Sequence, residues 1–151
     1  MTQKIFRQSV VGLFVNESGN ILLGERSDAP GAWQLPQGGI DADETPEAAL
    51  GREMHEELGS ADFRIIKRAS ETCRYEFPAN LDSPVARKYL GQEQTWFLVQ
   101  FNQNAGPDIA KSDQEFRAFR WAAPSTVLEE IIDWKRTCYE KGFKQLGIHI
   151  R

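Results

Sequence analysis

The chain has 151 residues, 40% of them hydrophobic and 26% charged, with a net charge of −4. That size and apolar content suit one domain with a real core and exclude a disordered protein. The acidic balance excludes a protein that coats nucleic acid along its length, which needs clustered positive charge; it leaves room for gripping one end of a nucleic acid and suits a protein that concentrates divalent cations.

Taken in chain order, "MTQKIFRQSVVGLFVNESGN" has two early basic residues and a short apolar run that flows into a turn with no small-residue cleavage site. It reads as a strand rather than a signal peptide. "SVVGLFVN" and "ILLGER" are apolar strands around "ESGN", the pattern of a hairpin. "SDAPGAW" is a loop of turn formers, and "QLPQGGIDADET" carries the glycine pair Gly38 and Gly39. A helix is expected from Pro46 to Leu58. "FRIIKRASE" and "RYEF" read as strands and "ANLDSPVARKYLGQ" as a connecting loop. "QTWFLVQF" is a strand with Trp96, Leu98 and Gln100 opposite Phe97, Val99 and Phe101. A polar loop leads to "EFRAFRWA", another strand. From Ser125, a fair cap, one long helix is expected to the end, with Val127, Leu128, Ile131, Ile132, Cys138, Tyr139, Phe143 and Leu146 at helical spacing. The order predicts an α/β (α+β) fold, a mixed sheet with helices on both faces, in a single domain over 1–151. No repeat and no apolar run of about 18 residues appears, so no membrane span is expected. Cys73 and Cys138 lie far apart and form no metal pattern, so reduced thiols in a cytoplasmic protein are the default.

The central helix carries the chemistry. "REMHEELG" places Glu53, Glu56 and Glu57 within about one third of the helix circumference, beside an apolar stripe of Leu50, Met54 and Leu58. Thr45 can cap its start, Pro46 and Glu47 suit its first turn, and Gly59 can end it. A solvated acidic face tolerates such repulsion, at about 0.2–0.5 kcal/mol per pair. The other reading is a metal site. Carboxylates without nearby histidine or cysteine select hard cations, Mg²⁺ or Mn²⁺. His55 falls away from the acidic stripe and His149 near the terminus, so zinc is not expected. An adjacent glycine pair lets backbone approach an anion, which points to phosphate chemistry.

Gly38, Glu44 and "REMHEELGS" resemble the Nudix box, G-x5-E-x7-R-E-U-x-E-E-x-G-U with U a bulky aliphatic, and only Ser60 departs from it. "WQLPQGGID", "YLGQEQTWFLVQF", "EFRAFRW" and "DWKRTCYEKGF" extend the resemblance to the bacterial RNA pyrophosphohydrolase branch, which overlaps with diadenosine polyphosphate hydrolases, from about Ser9 to Phe143. The resemblance implies a Nudix fold. It makes Glu53, Glu56 and Glu57 catalytic carboxylates that hold two or more Mg²⁺ (or Mn²⁺) ions and the attacking water, with the Gly38 carbonyl as a further ligand. Glu115 resembles a glutamate outside the box that joins the metal site or handles the water. Glu53 is favoured as general base, with Glu57 and Glu115 as alternatives. Glu44 and Arg52 resemble the pair that holds the loop onto the helix. Recognition of an RNA end would fall on Arg26, toward the triphosphate, on Gln37 and Gln94, and on Ile132, Trp134 and Lys135. Trp134 would stack a terminal base, or else belong to the buried stripe of the last helix. Lys135 and Arg136 would meet phosphates, or else be a solvated helix end.

Three functions compete on this reading. The first is removal of pyrophosphate from the 5′-triphosphate end of RNA. The second is hydrolysis of diadenosine polyphosphates or (deoxy)nucleoside triphosphates by the same site. The third is a binding module without catalysis, against which stands the full set of box carboxylates. The partners implied are an RNA 5′ end or a nucleoside polyphosphate, with no membrane and no DNA duplex; monomer and homodimer stay open.

Overall fold

A computed structural model describes residues 3–150. The strands are β1 (Phe6–Phe14), β2 (Ile21–Arg26), β3 (Trp33–Gln34), β4 (Gln37–Gly39), β5 (Phe63–Arg68), β6 (Cys73–Glu76), β7 (Gly91–Phe101) and β8 (Phe116–Ala122). The α-helices are α1 (Pro46–Leu58), α2 (Pro84–Lys88), α3 (Pro124–Glu130) and α4 (Asp133–Gln145). β1 pairs in parallel with β7 and antiparallel with β4, while β7 pairs antiparallel with β5 and β6. These strands make a mixed five-stranded sheet, and β3, β2 and β8 make a second sheet of three.

The two-residue period of β1 and β7 sorts their side chains into two cores. Val10, Phe14, Phe97 and Val99 pack on one face against Ala49, Leu50, Met54 and Leu58 of α1. Val11, Leu13 and Trp96 pack on the other against Tyr139, Phe143 and Leu146, at and just beyond the end of α4. Each such side chain contributes about 1.5–3 kcal/mol when fully buried. Because both cores need the same sheet, α1 and α4 are fixed on opposite sides of it, and the expected sandwich of helix, mixed sheet and helix results.

Several details differ from the sequence reading. The turn at "ESGN" forms, with the Asn16 side chain accepting from the backbone of Ser18 and Asn20, but the strands do not stay together. β1 enters one sheet and β2 the other, and only the Val15–Ile21 bridge joins them. Both edges of β1 are already taken by β4 and β7, so β2 finds its partners in β3 and β8. The long terminal helix is two helices. Ile131 and Ile132 are extended between them, which keeps Ile131 in the core while α4 starts afresh. Ser125 lies inside α3 and is not its cap; Ala123 precedes Pro124 there. The connecting loop contains α2, capped by the Ser83 hydroxyl. The thiols are not free: Cys73 and Cys138 form a disulfide, because β6 packs on α4 and brings their Cα atoms to 5.6 Å. No helix among the described residues is long and apolar enough to cross a membrane.

Candidate active site

α1 is delimited by local chemistry. Thr45 Oγ1 accepts from the Ala48 N–H, Pro46 opens the first turn, and Gly59 ends the helix in the left-handed conformation. Its apolar stripe is buried against the sheet, so the acidic stripe beside it is turned to the rim of a cavity of about 550 Å³. Glu53, Glu56, Glu57 and Gly38 line that cavity together with Glu115. Glu115 arrives from the far side of the chain. The loop before β8 donates backbone N–H groups from Asp108 and Asp113 to the last carbonyls of α1, at Leu58 (2.7 Å) and Glu56 (2.8 Å). That loop therefore satisfies the helix end and carries Glu115 to the acidic face. At Ser60, the departure from the box, the hydroxyl accepts from the Asp62 N–H instead of packing an aliphatic side chain.

The glycine pair serves both faces of the sheet. Val10 pairs with Gly38 and Ser9 with Gly39, so the two glycines face opposite ways. A Cβ on Gly38 would overlap the Glu53 carboxyl, and a Cβ on Gly39 would overlap the Arg7 guanidinium. Arg52 locks the loop to the helix. It donates to both oxygens of Glu44 (2.9 Å each), to the Gly39 carbonyl (2.9 Å) and to Glu53 Oε1 (2.7 Å). The guanidinium and the Asp41 N–H hold the Glu44 carboxyl down to about 2.

The remaining carboxyls are pushed the other way. Burial raises Glu57 well above the ordinary carboxylate range, with Glu115 and Glu53 adding repulsion. Burial raises Glu53, against the pull of Arg52, and burial with Asp113 and Glu53 raises Glu115. Among the described residues no three acidic, histidine or cysteine side chains converge as a ready-made metal cluster. Arg52 holds Glu53 Oε1 at 2.7 Å. The donor set nonetheless fits a hard divalent cation. Glu57 Oε2 is buried with no hydrogen-bond partner, and all the carboxyls whose ionisation is hindered lie on one wall. A cation among them would supply the missing partner and relieve the repulsion.

The rest of the lining is basic and aromatic. Arg26, Ser27, Gln34, Gln37, Trp134 and Lys135 contribute to it, with Arg7, Tyr75 and Phe77. Gln37 and Ser27 adjoin the acidic groups: the Gln37 N–H donates to Glu57 Oε1 (3.4 Å) and the Ser27 N–H to the Glu115 carbonyl (2.8 Å). Trp134 is half-buried against Tyr75 (ring centroids 5.4 Å) and Phe77 (6.0 Å), so it both packs and faces the cavity. Lys135 is buried, with Nζ 3.1 Å from Gln34 Oε1, and burial and Arg26 lower its ammonium to about 8. Arg26 is held by Asp28 through two hydrogen bonds of 2.9 and 2.7 Å. Two residues expected here lie elsewhere. Gln94 is fully buried behind the wall, its amide donating to Gln37 Oε1 (2.9 Å) and its oxygen accepting from Trp96 Nε1 (3.2 Å). Its amide is spent on Gln37, which does line the cavity, so it orients that side chain instead. Ile132 is 53% exposed at the α3–α4 junction and does not line the cavity, because the extended residue there points to solvent. Arg136 is exposed, as are His55 and His149.

Arg7, Tyr75 and Phe77 were missed by sequence reasoning. The only signal was alternation: Tyr75 and Phe77 share a strand face, and Arg7 is a charge on the face that continues through Ser9 to Val11.

Comparison with known proteins places this site in a lineage. The NUDIX domain family matches residues 5–141. The RNA pyrophosphohydrolase of Rhodospirillum rubrum is 36% identical over 144 residues, covering 94% of this chain and 87% of that protein. Nudix hydrolase 25 of Arabidopsis thaliana is 33% identical over 151 residues, covering 94% and 86%. Among solved structures, the E. coli dihydroneopterin triphosphate pyrophosphohydrolase superposes with a TM-score of 0.70 at 18% identity, covering 91% of this chain and 97% of that one, a likeness of fold. Enzymes of this family generally depend on a divalent metal. The chain belongs to the Nudix family.

Proposed function

We propose that this chain, as a single domain over 1–151, removes pyrophosphate from the 5′-triphosphate end of RNA and leaves a 5′-monophosphate end, which initiates decay of a message. The observation that carries the reading is one cavity lined both by the glutamates and by basic and aromatic side chains, Arg26, Lys135, Tyr75, Phe77 and Trp134. The names of the bacterial relatives support the substrate. Glu53, Glu56, Glu57, Glu115 and the Gly38 carbonyl would hold two or more Mg²⁺ or Mn²⁺ ions, which polarise phosphate oxygens and lower the pKa of a bound water. Glu53 takes the proton of the attacking water: Arg52 commits its Oε1 and leaves Oε2 beside Gly38. Water oxygen bonds to phosphorus as one anhydride P–O bond breaks. Arg26 and Lys135 receive the phosphate oxygens, with Asp28 releasing Arg26 as the anion arrives. Gln37, oriented by Gln94, and Trp134 contact the terminal nucleotide. The work belongs in the cytoplasm, where the RNA is.

The test is a rate comparison with Mg²⁺ on a short 5′-triphosphate RNA and on diadenosine tetraphosphate. A higher kcat/KM on RNA, with pyrophosphate or two orthophosphates and 5′-monophosphate RNA as products, is expected. A clear preference for the dinucleotide would keep the metal chemistry and move the substrate to small nucleotides.

A further inference from the structure

The Cys73–Cys138 disulfide joins the two elements that build the aromatic wall. Cys73, Tyr75 and Phe77 alternate along one face of β6 and its continuation, where the Phe77 N–H donates to the Leu90 carbonyl at 3.0 Å. Trp134 and Cys138 are four apart on α4, just over one turn or about 6 Å along the axis. The staple therefore sits one helical turn from the Tyr75–Phe77–Trp134 cluster. β6 is only four residues long and has β7 as its sole strand partner among the described residues. On its outer end exposed polar contacts tie it to α4: the Glu71 N–H donates to Gln145 Oε1 and Lys141 Nζ to the Thr72 carbonyl, 3.0 Å each. On its inner end, toward the cavity, the aromatic contacts of Trp134 and the disulfide join the two. α1, with Glu53, Glu56 and Glu57, packs on the other face of the sheet and has no part in the staple.

We infer that Cys73 and Cys138 form a reversible thiol–disulfide modification site that clamps the base-binding wall, oxidation tightening the grip on an RNA end while leaving the acidic wall unchanged. The choice of substrate rests on the proposed function. A protein that meets RNA ends works where thiol reductants prevail, and disulfides found there are mostly transient or redox-sensing. The 5.6 Å Cα separation lies within the ordinary range for a disulfide. Cys73 is the entry point, being partly exposed where Cys138 is buried. Its thiolate attacks a low-molecular-weight disulfide, forming a mixed disulfide and releasing one thiolate. The Cys138 thiolate then attacks Cys73 Sγ and releases the second. Two cysteines are oxidised, the small disulfide is reduced to two thiols, and the two cysteine protons end on those thiols. A dithiol reductant runs the exchange backward.

The experiment prepares the full chain oxidised and reduced, confirms each form by thiol counting, and measures steady-state rates with Mg²⁺ on a 5′-triphosphate RNA. Reduction is expected to raise KM about fivefold, the scale of one lost aromatic contact, with kcat within about twofold. Hydrogen exchange should speed in β6 and the first turns of α4 but not in α1. The double variant Cys73→Ser, Cys138→Ser should show the raised KM of the reduced form and ignore both dithiothreitol and added disulfide. Equal KM in the two counted forms overturns the inference, as does unfolding of the reduced chain, which would make the bond a plain structural brace. Absence of RNA turnover in both forms overturns the RNA-end reading instead. Hydrogen exchange then decides the clamp, equal protection of β6 in both forms overturning it.

Discussion

On one side of the cavity three glutamates come from a single stretch of α1, five residues long from Glu53 to Glu57. The recognition residues of the same cavity, Arg26, Gln37, Tyr75, Trp134 and Lys135, come from β2, β4, β6 and α4. The three glutamates of α1 are placed for a local reason: helical spacing aligns their charges, and the buried stripe of Leu50, Met54 and Leu58 holds the helix on the sheet. The recognition wall is rigid only as far as distant elements stay docked, through the ring cluster, the Gln37–Gln94–Trp96 relay and the disulfide. The glutamates of α1 are thus placed by one element, while Glu115 and the recognition residues are placed by the assembly of several.

The contrast can be broken most sharply at Glu57. Glu57→Gln keeps the shape and removes a charge from the acidic wall; turnover should fall at least ~100-fold while the fold persists. Near-normal turnover with Mg²⁺ would sink the metal assignment. The same variant should be no less stable without metal. The raised pKa of Glu57 means the folded chain binds more protons than the unfolded one above about 4.5, so stability falls as pH rises from there through the folded value. Chemical denaturation of both proteins at two pH values would show it.

The recognition wall answers next. Trp134→Ala should weaken an RNA substrate by about 1–3 kcal/mol, the worth of a stacked base, and diadenosine tetraphosphate by less. Equal losses on both, read as KM, would make Trp134 a packing residue of the Tyr75–Phe77 cluster. Lys135 gives a smaller effect that depends on pH. Its folded value near 8 lies below its ordinary 10.5, so its charge is lost as pH rises through about 8 and KM for the triphosphate should climb there. Lys135→Arg should flatten that limb of the KM profile. The linkage sign is opposite for stability: burying the charged ammonium penalises folding below about 8, and the penalty lifts between about 8 and 10.5.

The smallest expected effect lies at Glu44, outside both walls. Its folded value near 2 lies below the ordinary 4.5, so its contribution to stability is fully present above about 4.5 and is lost as pH falls toward 2. Glu44→Gln should remove that part of the acid limb in urea unfolding and lower the midpoint at neutral pH. An unchanged acid limb would show that Arg52 keeps the loop through Glu53 and the Gly39 carbonyl alone.

Residues whose role depends on near neighbours could be read from the chain. The caps of α1, its two stripes and the two faces of β7 each follow from spacing within a few residues, and each appears as expected. What failed was partner choice. "ESGN" makes its turn, yet β2 leaves for another sheet because β1 already has two partners. Gln94 reads like any polar residue of a strand facing a site, yet its amide is consumed by Gln37 and Trp96. The last helix breaks at Ile131–Ile132 with no glycine or proline to announce it.

By itself the sequence determined the acidic helix, its glycine-bearing loop and the family that combination belongs to, because helical spacing and turn chemistry act over a few residues and need no other part of the molecule. Only the tertiary structure decided which side chains face the glutamates, that Arg7 and Tyr75 join them, and that Cys73 meets Cys138 across 65 positions. Those meetings follow from burying two hydrophobic cores on the two faces of one sheet, a constraint on the whole chain that no local stretch records.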